Sequence, residues 1–257
     1  MALGLDWIVV DAEHGHLDWR DIAGHLRAAV RSETVVLVRL VEIDRGLIKR
    51  ALDNGADGVV LPWVESADQL REAVAFAHYP PAGKRGMGAE RATGWGRGLA
   101  QHAREANEHV LVVPIIETVE GGRNIVAISQ VPGVEIFQLG PADYSSSAGY
   151  AGQWEGPGVA EQLLAIKDTI RRHGRHCGVV ATSDDNLLER RDQGFRFLGL
   201  GFDAGLVIRS LSASIERVGR PATITPDLTP AVAEGTKVAK PPNHGEGMHS
   251  SEKGSHS

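Results

Sequence analysis

Short apolar runs rich in β-branched residues recur along the chain. Each is followed by a stretch whose apolar positions repeat with helical spacing, so the alternation predicts βα units arranged over a parallel sheet. The runs predict strands at 6–11, 35–40, 58–62, 110–116, 135–139, 178–181 and 195–200. They are apolar almost without interruption, as expected of strands covered on both faces. Helices are predicted at 19–31, 46–54, 66–77, 158–173 and 184–193, with Ser66 and Ser183 as N-caps and Gly55, Gly174 and Gly194 as stops. Seven units are one fewer than a (β/α)8 barrel contains. From about Arg220 onward Pro, Gly, Ser, His and Lys dominate, which predicts a barrel domain at 1–219 followed by a disordered tail at 220–257. His244, His249 and His256 are read as part of that solvated tail.

Composition narrows the class without naming a reaction. The chain has 257 residues, 42% of them hydrophobic, enough for one domain with a sizeable core. A formal net charge of −6 argues against a nucleic-acid or anionic-membrane partner, either of which favours a basic excess. The single cysteine, Cys177, cannot form an internal disulfide, and the N-terminus has no basic segment leading into an apolar one. A cytoplasmic location is therefore expected. No apolar stretch approaches the roughly 18 residues needed to span a membrane.

Polar residues that end apolar runs are the candidates for chemistry, because in a parallel barrel the C-terminal strand ends converge on one mouth. Glu117 follows the run at 110–116, and Asp143 follows the run at 134–139 through Gly140-Pro141-Ala142. Two acids from successive strands can share one divalent cation. The first strand ends in Asp11-Ala12-Glu13-His14, which could be an ion-paired loop anchor or could carry a proton-transferring imidazole. Arg39 ends the second strand; it could hold a carboxylate or a developing enolate oxygen, or pair with Glu13 or Glu42. The loop Tyr79-Pro80-Pro81-Ala82-Gly83-Lys84-Arg85-Gly86-Met87-Gly88 fits a plain connection or a close backbone approach to a ligand. No lysine ends a strand: Lys49 lies within a predicted helix and Lys84 within a loop, so a Schiff-base mechanism has no evident nucleophile.

In this order, the motifs Asp11-x-Glu13-His14, Arg39, Ile48-Lys49-x-x-Leu52-Asp53-x-Gly55, Tyr79-Pro80-Pro81-Ala82-Gly83-x-Arg85-Gly86, Glu117-Thr118 and Gly140-Pro141-Ala142-Asp143 resemble the metal-dependent class II pyruvate aldolases of the HpcH/HpaI aldolase/citrate lyase family. The resemblance implies an α/β fold, a (β/α)8 TIM barrel of the phosphoenolpyruvate/pyruvate type lacking its first βα unit. It implies reversible aldol cleavage of a 4-hydroxy-2-oxo acid to pyruvate and an aldehyde. Glu117 and Asp143 would bind Mg2+, Mn2+ or Co2+, Arg39 would sit against the keto oxygen, and Gly140, Pro141 and Ala142 would contact the substrate carboxylate. His14 would transfer the proton, oriented by Asp53 in a dyad that could cross a subunit boundary. Small-molecule oxo acids and aldehydes would be the only partners besides other copies of the chain, with a hexamer as the family's usual assembly. Members commonly carry glutamine two residues before the metal-binding glutamate, where this chain has Ile115. Other readings are a related barrel lyase or oxo-acid decarboxylase, and an inactive truncated barrel acting only through subunit packing.

Overall fold

A computed structural model describes residues 3–150, 153, 156 and 158–220. The tail expected to be disordered lies outside these residues beyond Arg220, as do its three histidines. The chain divides into two units, Met1–Asp203 and Ala204–Ser257. The first opens with β1 (Trp7–Asp11), α1 (Trp19–Ala29), β2 (Val35–Arg39), α2 (Arg45–Asp53), β3 (Gly58–Leu61) and α3 (Ala67–Ala77). It continues with α4 (Leu99–His109), β4 (Leu111–Ile116), α5 (Val119–Arg123), α6 (Ile125–Ile128), β5 (Ile136–Leu139) and α7 (Pro141–Ser147). It closes with α8 (Val159–Arg172), β6 (His176–Val180), α9 (Asp184–Asp192) and β7 (Phe197–Gly199). In the second unit the described structure is one helix, α10 (Asp203–Arg217), along which Leu206, Ile208, Leu211 and Ile215 are exposed.

The seven strands form one sheet in the order β1-β2-β3-β4-β5-β6-β7, every neighbouring pair parallel. The sheet curls: the Trp7 ring of β1 stacks on the Phe197 ring of β7 with centroids 3.8 Å apart, although these are the outermost strands. Because successive side chains point to opposite faces, each strand serves two cores. On the convex side Val36, Val38, Val59, Leu61, Val112, Ile116 and Phe137 pack against helix residues such as Ile22, Leu26, Ile48, Leu52, Leu70 and Ile166. On the concave side Leu37, Val60, Val113, Ile115 and Phe197 form a smaller cluster with Trp7 and Val9 around its rim. Each fully buried Leu or Ile stabilises the fold by about 1.5–3 kcal/mol relative to exposure.

The predicted helix starts form by the expected capping chemistry. Ser66 Oγ accepts from Gln69 N at 3.2 Å and Ser183 Oγ accepts from Asn186 N at 3.1 Å. Asp18 and Asp21 make a reciprocal capping box at the start of α1. Gly55, Gly174 and Gly194 all have positive φ just past helix ends, where glycine avoids the steric cost of a Cβ. The short helices α5, α6 and α7 and the longer α4 were not among the predicted elements. The first three are only five, four and seven residues long, too short for helical periodicity to register in the sequence.

Candidate active site

The alternation that sorts the apolar residues also sorts the polar ones. On β1 the concave-facing series Trp7, Val9 continues to Asp11; on β2 Val35, Leu37 continues to Arg39; after β4 Leu111, Val113, Ile115 continues to Glu117. Each polar residue thus stands one layer above the concave apolar cluster, at the C-terminal strand ends.

Arg39 organises the first of these groups. Asp11 and Arg39 are register partners on adjacent strands. Arg39 Nε donates to Asp11 Oδ1 at 2.8 Å, and Arg39 Nη2 pairs with Asp11 Oδ2 in a bidentate fork. Arg39 Nη1 lies 3.1 Å from Glu13 Oε2. That contact is an ion pair without hydrogen-bond geometry, because Glu13 Oε2 is buried with no hydrogen-bond partner. Asp11 Oδ1 also accepts from the backbone N–H of Glu13 at 3.0 Å and of His14 at 3.3 Å, so one carboxylate fixes both the arginine and the loop that carries Glu13 and His14. Burial by itself raises the Asp11 pKa, but the Arg39 bonds and charge, with the two backbone donors, hold it below the ordinary value. Burial pushes Glu13 up, and the nearby charges of Asp11 and Asp143 add to the rise.

Glu117 is almost completely enclosed, at 2% exposure. Its Oε1 accepts from the backbone N–H of Trp63 at 2.7 Å. Trp63 holds this donor in place with φ of 54°, a left-handed conformation that a tryptophan rarely adopts. Burial pushes the Glu117 pKa up to about 7, with the charges of Glu13 and Asp143 raising it further while Trp63 and Arg39 oppose. On the adjacent strand, a Cβ at Gly140 would come within 2.7 Å of Glu117 Cβ and Oε2, so only glycine leaves the carboxylate its room. Pro141 then begins α7, and Asp143 lies in its first turn.

The described residues contain no group of three or more His, Cys, Asp or Glu side chains arranged to hold a metal. Glu117 and Asp143 fit a divalent cation as an incomplete pair: the buried Glu117 is hard to ionise beside Asp143 and Glu13, and a cation among these acids would relieve that cost. Mg2+ commonly binds through one or two carboxylates and completes its shell with water and substrate oxygens.

Two expected catalytic residues stand apart within the chain. The His14 side chain is 67% exposed and lies 3.9 Å from Glu13 Oε2. Asp53 ends α2 and pairs with Arg85 at 2.9 Å, an arginine whose side chain is 1% exposed and stacks over Tyr79. No hydrogen bond or ion pair among the described residues joins Asp53 to His14. The loop at 79–88 therefore supplies Arg85 as an anchor for Asp53. Sequence reasoning offered Glu13 only as an ion-pair partner of Arg39, which it is, and gave no role to the Trp63 backbone or to Arg85. Glu13 sat within a recognised motif, whereas a tryptophan backbone donor leaves no trace in residue type.

A curled parallel α/β sheet gathers an arginine and several acids at its C-terminal strand ends, and comparison with known proteins makes the class a carbon–carbon lyase of the aldolase type. The sequence profile of the HpcH/HpaI aldolase/citrate lyase family matches residues 1–210, and the chain belongs to that family. Relatives include a hydroxypyruvate/pyruvate aldolase of Pseudomonas aeruginosa, 37% identical over 81% of this chain and 78% of that protein. A 4-hydroxy-2-oxo-heptane-1,7-dioate aldolase of Escherichia coli is 33% identical over 86% of this chain and 84% of that protein. A solved HpcH/HpaI aldolase/citrate lyase family protein from Burkholderia cenocepacia J2315 superposes with a TM-score of 0.81 at 29% identity, covering 84% of this chain and 87% of that one. The family is generally dependent on a divalent metal, and these relationships favour class II aldolase chemistry over a decarboxylase or an inactive fragment. No described helix is long and apolar enough to cross a membrane.

Proposed function

We propose that the chain cleaves, and in reverse forms, the C3–C4 bond of 4-hydroxy-2-oxo acids, with pyruvate or hydroxypyruvate as the oxo-acid product and an aldehyde as the other. The observation that carries this reading is Glu117: a buried carboxylate beside Asp143 and Glu13, with Arg39 nearby, at the mouth of a parallel sheet. The sheet is assigned to the (β/α)8 barrel of the phosphoenolpyruvate/pyruvate type, of which the described residues supply seven strands.

Glu117 and Asp143 would hold Mg2+, Mn2+ or Co2+, which supplies Lewis-acid stabilisation of the enolate charge. The protein residues supply the rest. Arg39 has five N–H donors; two are engaged by Asp11, leaving the others to face the substrate keto oxygen, with the guanidinium fixed by Asp11 and its ion pair to Glu13 before substrate arrives. The backbone of Gly140, Pro141 and Ala142 borders the substrate carboxylate. His14, at the exposed rim, takes the proton of the 4-hydroxyl as the C3–C4 electron pair moves into the enolate and C4 becomes the aldehyde carbonyl. Protonation at C3 then gives the oxo acid. Within one chain Asp53 is engaged by Arg85, so its dyad with His14 is assigned across a subunit boundary in a homo-oligomer, a hexamer by resemblance.

Pyruvate release from 4-hydroxy-2-oxo-heptane-1,7-dioate and from 4-hydroxy-2-oxovalerate, measured with Mg2+, with Mn2+ and with a chelator, tests the reading. Metal-dependent release supports it; a folded sample with no release, or with release indifferent to chelation, overturns it.

A further inference from the structure

Asp53 ends α2 against closely packed side chains that the mechanism does not use. Arg85, in the loop after α3, donates from Nη2 to Asp53 Oδ1 at 2.9 Å. Its guanidinium lies 4.5 Å from the centre of the Tyr79 ring, whose face attracts cations. Tyr79 is held in turn by Asn107 of α4: Asn107 Oδ1 accepts from Tyr79 N at 2.8 Å, and Asn107 Nδ2 donates to Tyr79 O at 3.0 Å. His102, also on α4, meets the Tyr79 ring edge-on with centroids 5.8 Å apart. Gly83 lets the loop fold back over the end of α3, since a Cβ there would collide with the Ala75 and His78 carbonyl oxygens. Arg85 N then donates to His78 O at 2.8 Å. The arginine is thus fixed at its backbone, its stacked face and its tip.

Stability alone does not account for this arrangement. The Arg85 side chain is 1% exposed and its Nε is buried with no hydrogen-bond partner, and a buried ion pair is often no more stable than apolar side chains of the same volume. What the arrangement supplies is a carboxylate held at one oxygen only. Asp11 gives both of its oxygens to Arg39, whereas Asp53 gives Oδ1, and no hydrogen bond among the described residues reaches its Oδ2. The Asp53 side chain keeps 14% exposure. Beside Oδ2 the chain places Gly88, where even a Cβ would lie 3.5 Å away, so Oδ2 is left for a group from outside the chain. His14, 67% exposed, needs such an acceptor to fix its ring and tautomer. We propose that Arg85 is a positioning residue for proton transfer: it holds Asp53 by Oδ1, so that Oδ2 is presented to the imidazole N–H of His14 in a second copy of the chain. This rests on the intersubunit dyad of the aldolase reading above and adds to it the group that sets the geometry of the dyad.

The test uses single, double and coexpressed variants, with pyruvate release from 4-hydroxy-2-oxo-heptane-1,7-dioate in Mg2+ as the readout. Arg85→Met should lower kcat by about tenfold or more, with KM changing less than about threefold. In an Asp53→Asn background it should add less than about threefold, because residues that act as one unit are not additive. Arg85→Lys can keep the single bond to Oδ1 and should recover most of the loss. Coexpression of Arg85→Met with His14→Ala should restore turnover, since about one site in four then pairs an intact His14 with an intact Asp53 and Arg85. Coexpression of Arg85→Met with Asp53→Asn should not. An unchanged kcat in folded Arg85→Met, an equal loss in both backgrounds, no recovery with His14→Ala, or recovery with Asp53→Asn overturns this assignment and leaves the aldolase reading standing. A wild-type kcat in Asp53→Asn removes the dyad and this assignment together, and wild type without metal-dependent release removes the aldolase reading as well. If Arg85→Met alone does not fold, the double variant, which leaves neither charge without its partner, is compared with Asp53→Asn: equal kcat supports the assignment and a further loss overturns it.

Discussion

Asp11, Arg39 and Glu117 share a layer but differ in how replaceable they are. Glu117→Gln keeps the acceptor for the Trp63 N–H while removing the charge, so it separates cation binding from packing. Metal-dependent turnover is expected to fall by about 10²-fold or more, with the Tm of the chelated protein unchanged or higher; retention of activity would remove Glu117 from the metal site. Arg39→Lys replaces a fork with a point charge, losing one of the two bonds to Asp11. A loss of about tenfold or more in kcat/KM is expected, accompanied by a rise in the Asp11 pKa that carboxyl NMR resolves. His14→Ala should slow cleavage by about 10²-fold, the usual scale for a general base, and a loss below about threefold would reassign the proton to water.

The same residue gives a pH dependence with a definite sign. In the metal-free protein burial pushes Glu117 from 4.5 to about 7. Between those values the folded chain holds a proton that the unfolded chain has released, so stability falls as pH rises through the window. Asp11, held low mainly by Arg39 against the effect of burial, works in the opposite sense, and its contribution is lost only under more acidic conditions. Thermal melts in chelator should therefore show a higher Tm at about pH 5.5 than at about pH 7.5, and Glu117→Gln should flatten this difference. A Tm that climbs across the window would contradict the assignment.

At the scale of elements, the site depends on how two strand ends approach. Gly140 lets β5 pass beside Glu117, where a Cβ would meet the carboxylate at 2.7 Å. Gly140→Ala should weaken Mn2+ affinity by about tenfold or more, while the overpacking costs about 1–3 kcal/mol of stability; titration followed by the paramagnetic relaxation of water separates the two effects. Helix caps act independently of the chemistry. Ser183→Ala removes the acceptor for Asn186 N at the start of α9, and a destabilisation of about 1 kcal/mol is expected with metal-dependent turnover unaltered. These elements were largely legible beforehand because each strand is a near-continuous apolar run and most of the longer helices carry a cap or a stop in sequence; α4, which follows Gly98 without a side-chain cap, is the exception. The short helices were not: α7 consists of Pro141–Ser147, a segment whose turn residues read equally well as a loop, and its helical form is fixed by packing, with Tyr144 at 2% exposure and hydrogen-bonded to Gln162 of α8.

For the molecule as a whole, the metal and the fold are coupled through the same acids. A cation that binds the folded chain and not the unfolded one adds stability by mass action, about 2.7 kcal/mol at a concentration one hundred times Kd. Mg2+ or Mn2+ should raise Tm in proportion to the logarithm of its concentration, and Glu117→Gln should abolish the increment.

Sequence by itself determined the succession of seven strands along the chain, the two-sided burial of the sheet and the placement of Asp11, Arg39 and Glu117 at strand ends. These follow from local apolar periodicity and from the two-residue alternation of a strand. Only the tertiary structure decided which groups meet: that Arg39 takes Asp11 and Glu13 rather than Glu42, that Asp53 is held by Arg85, and that a strained Trp63 backbone supports Glu117. Each of these depends on the curl and register of neighbouring strands, which bring together atoms tens of residues apart, and burial then sets their charge in a way that residue type alone does not encode.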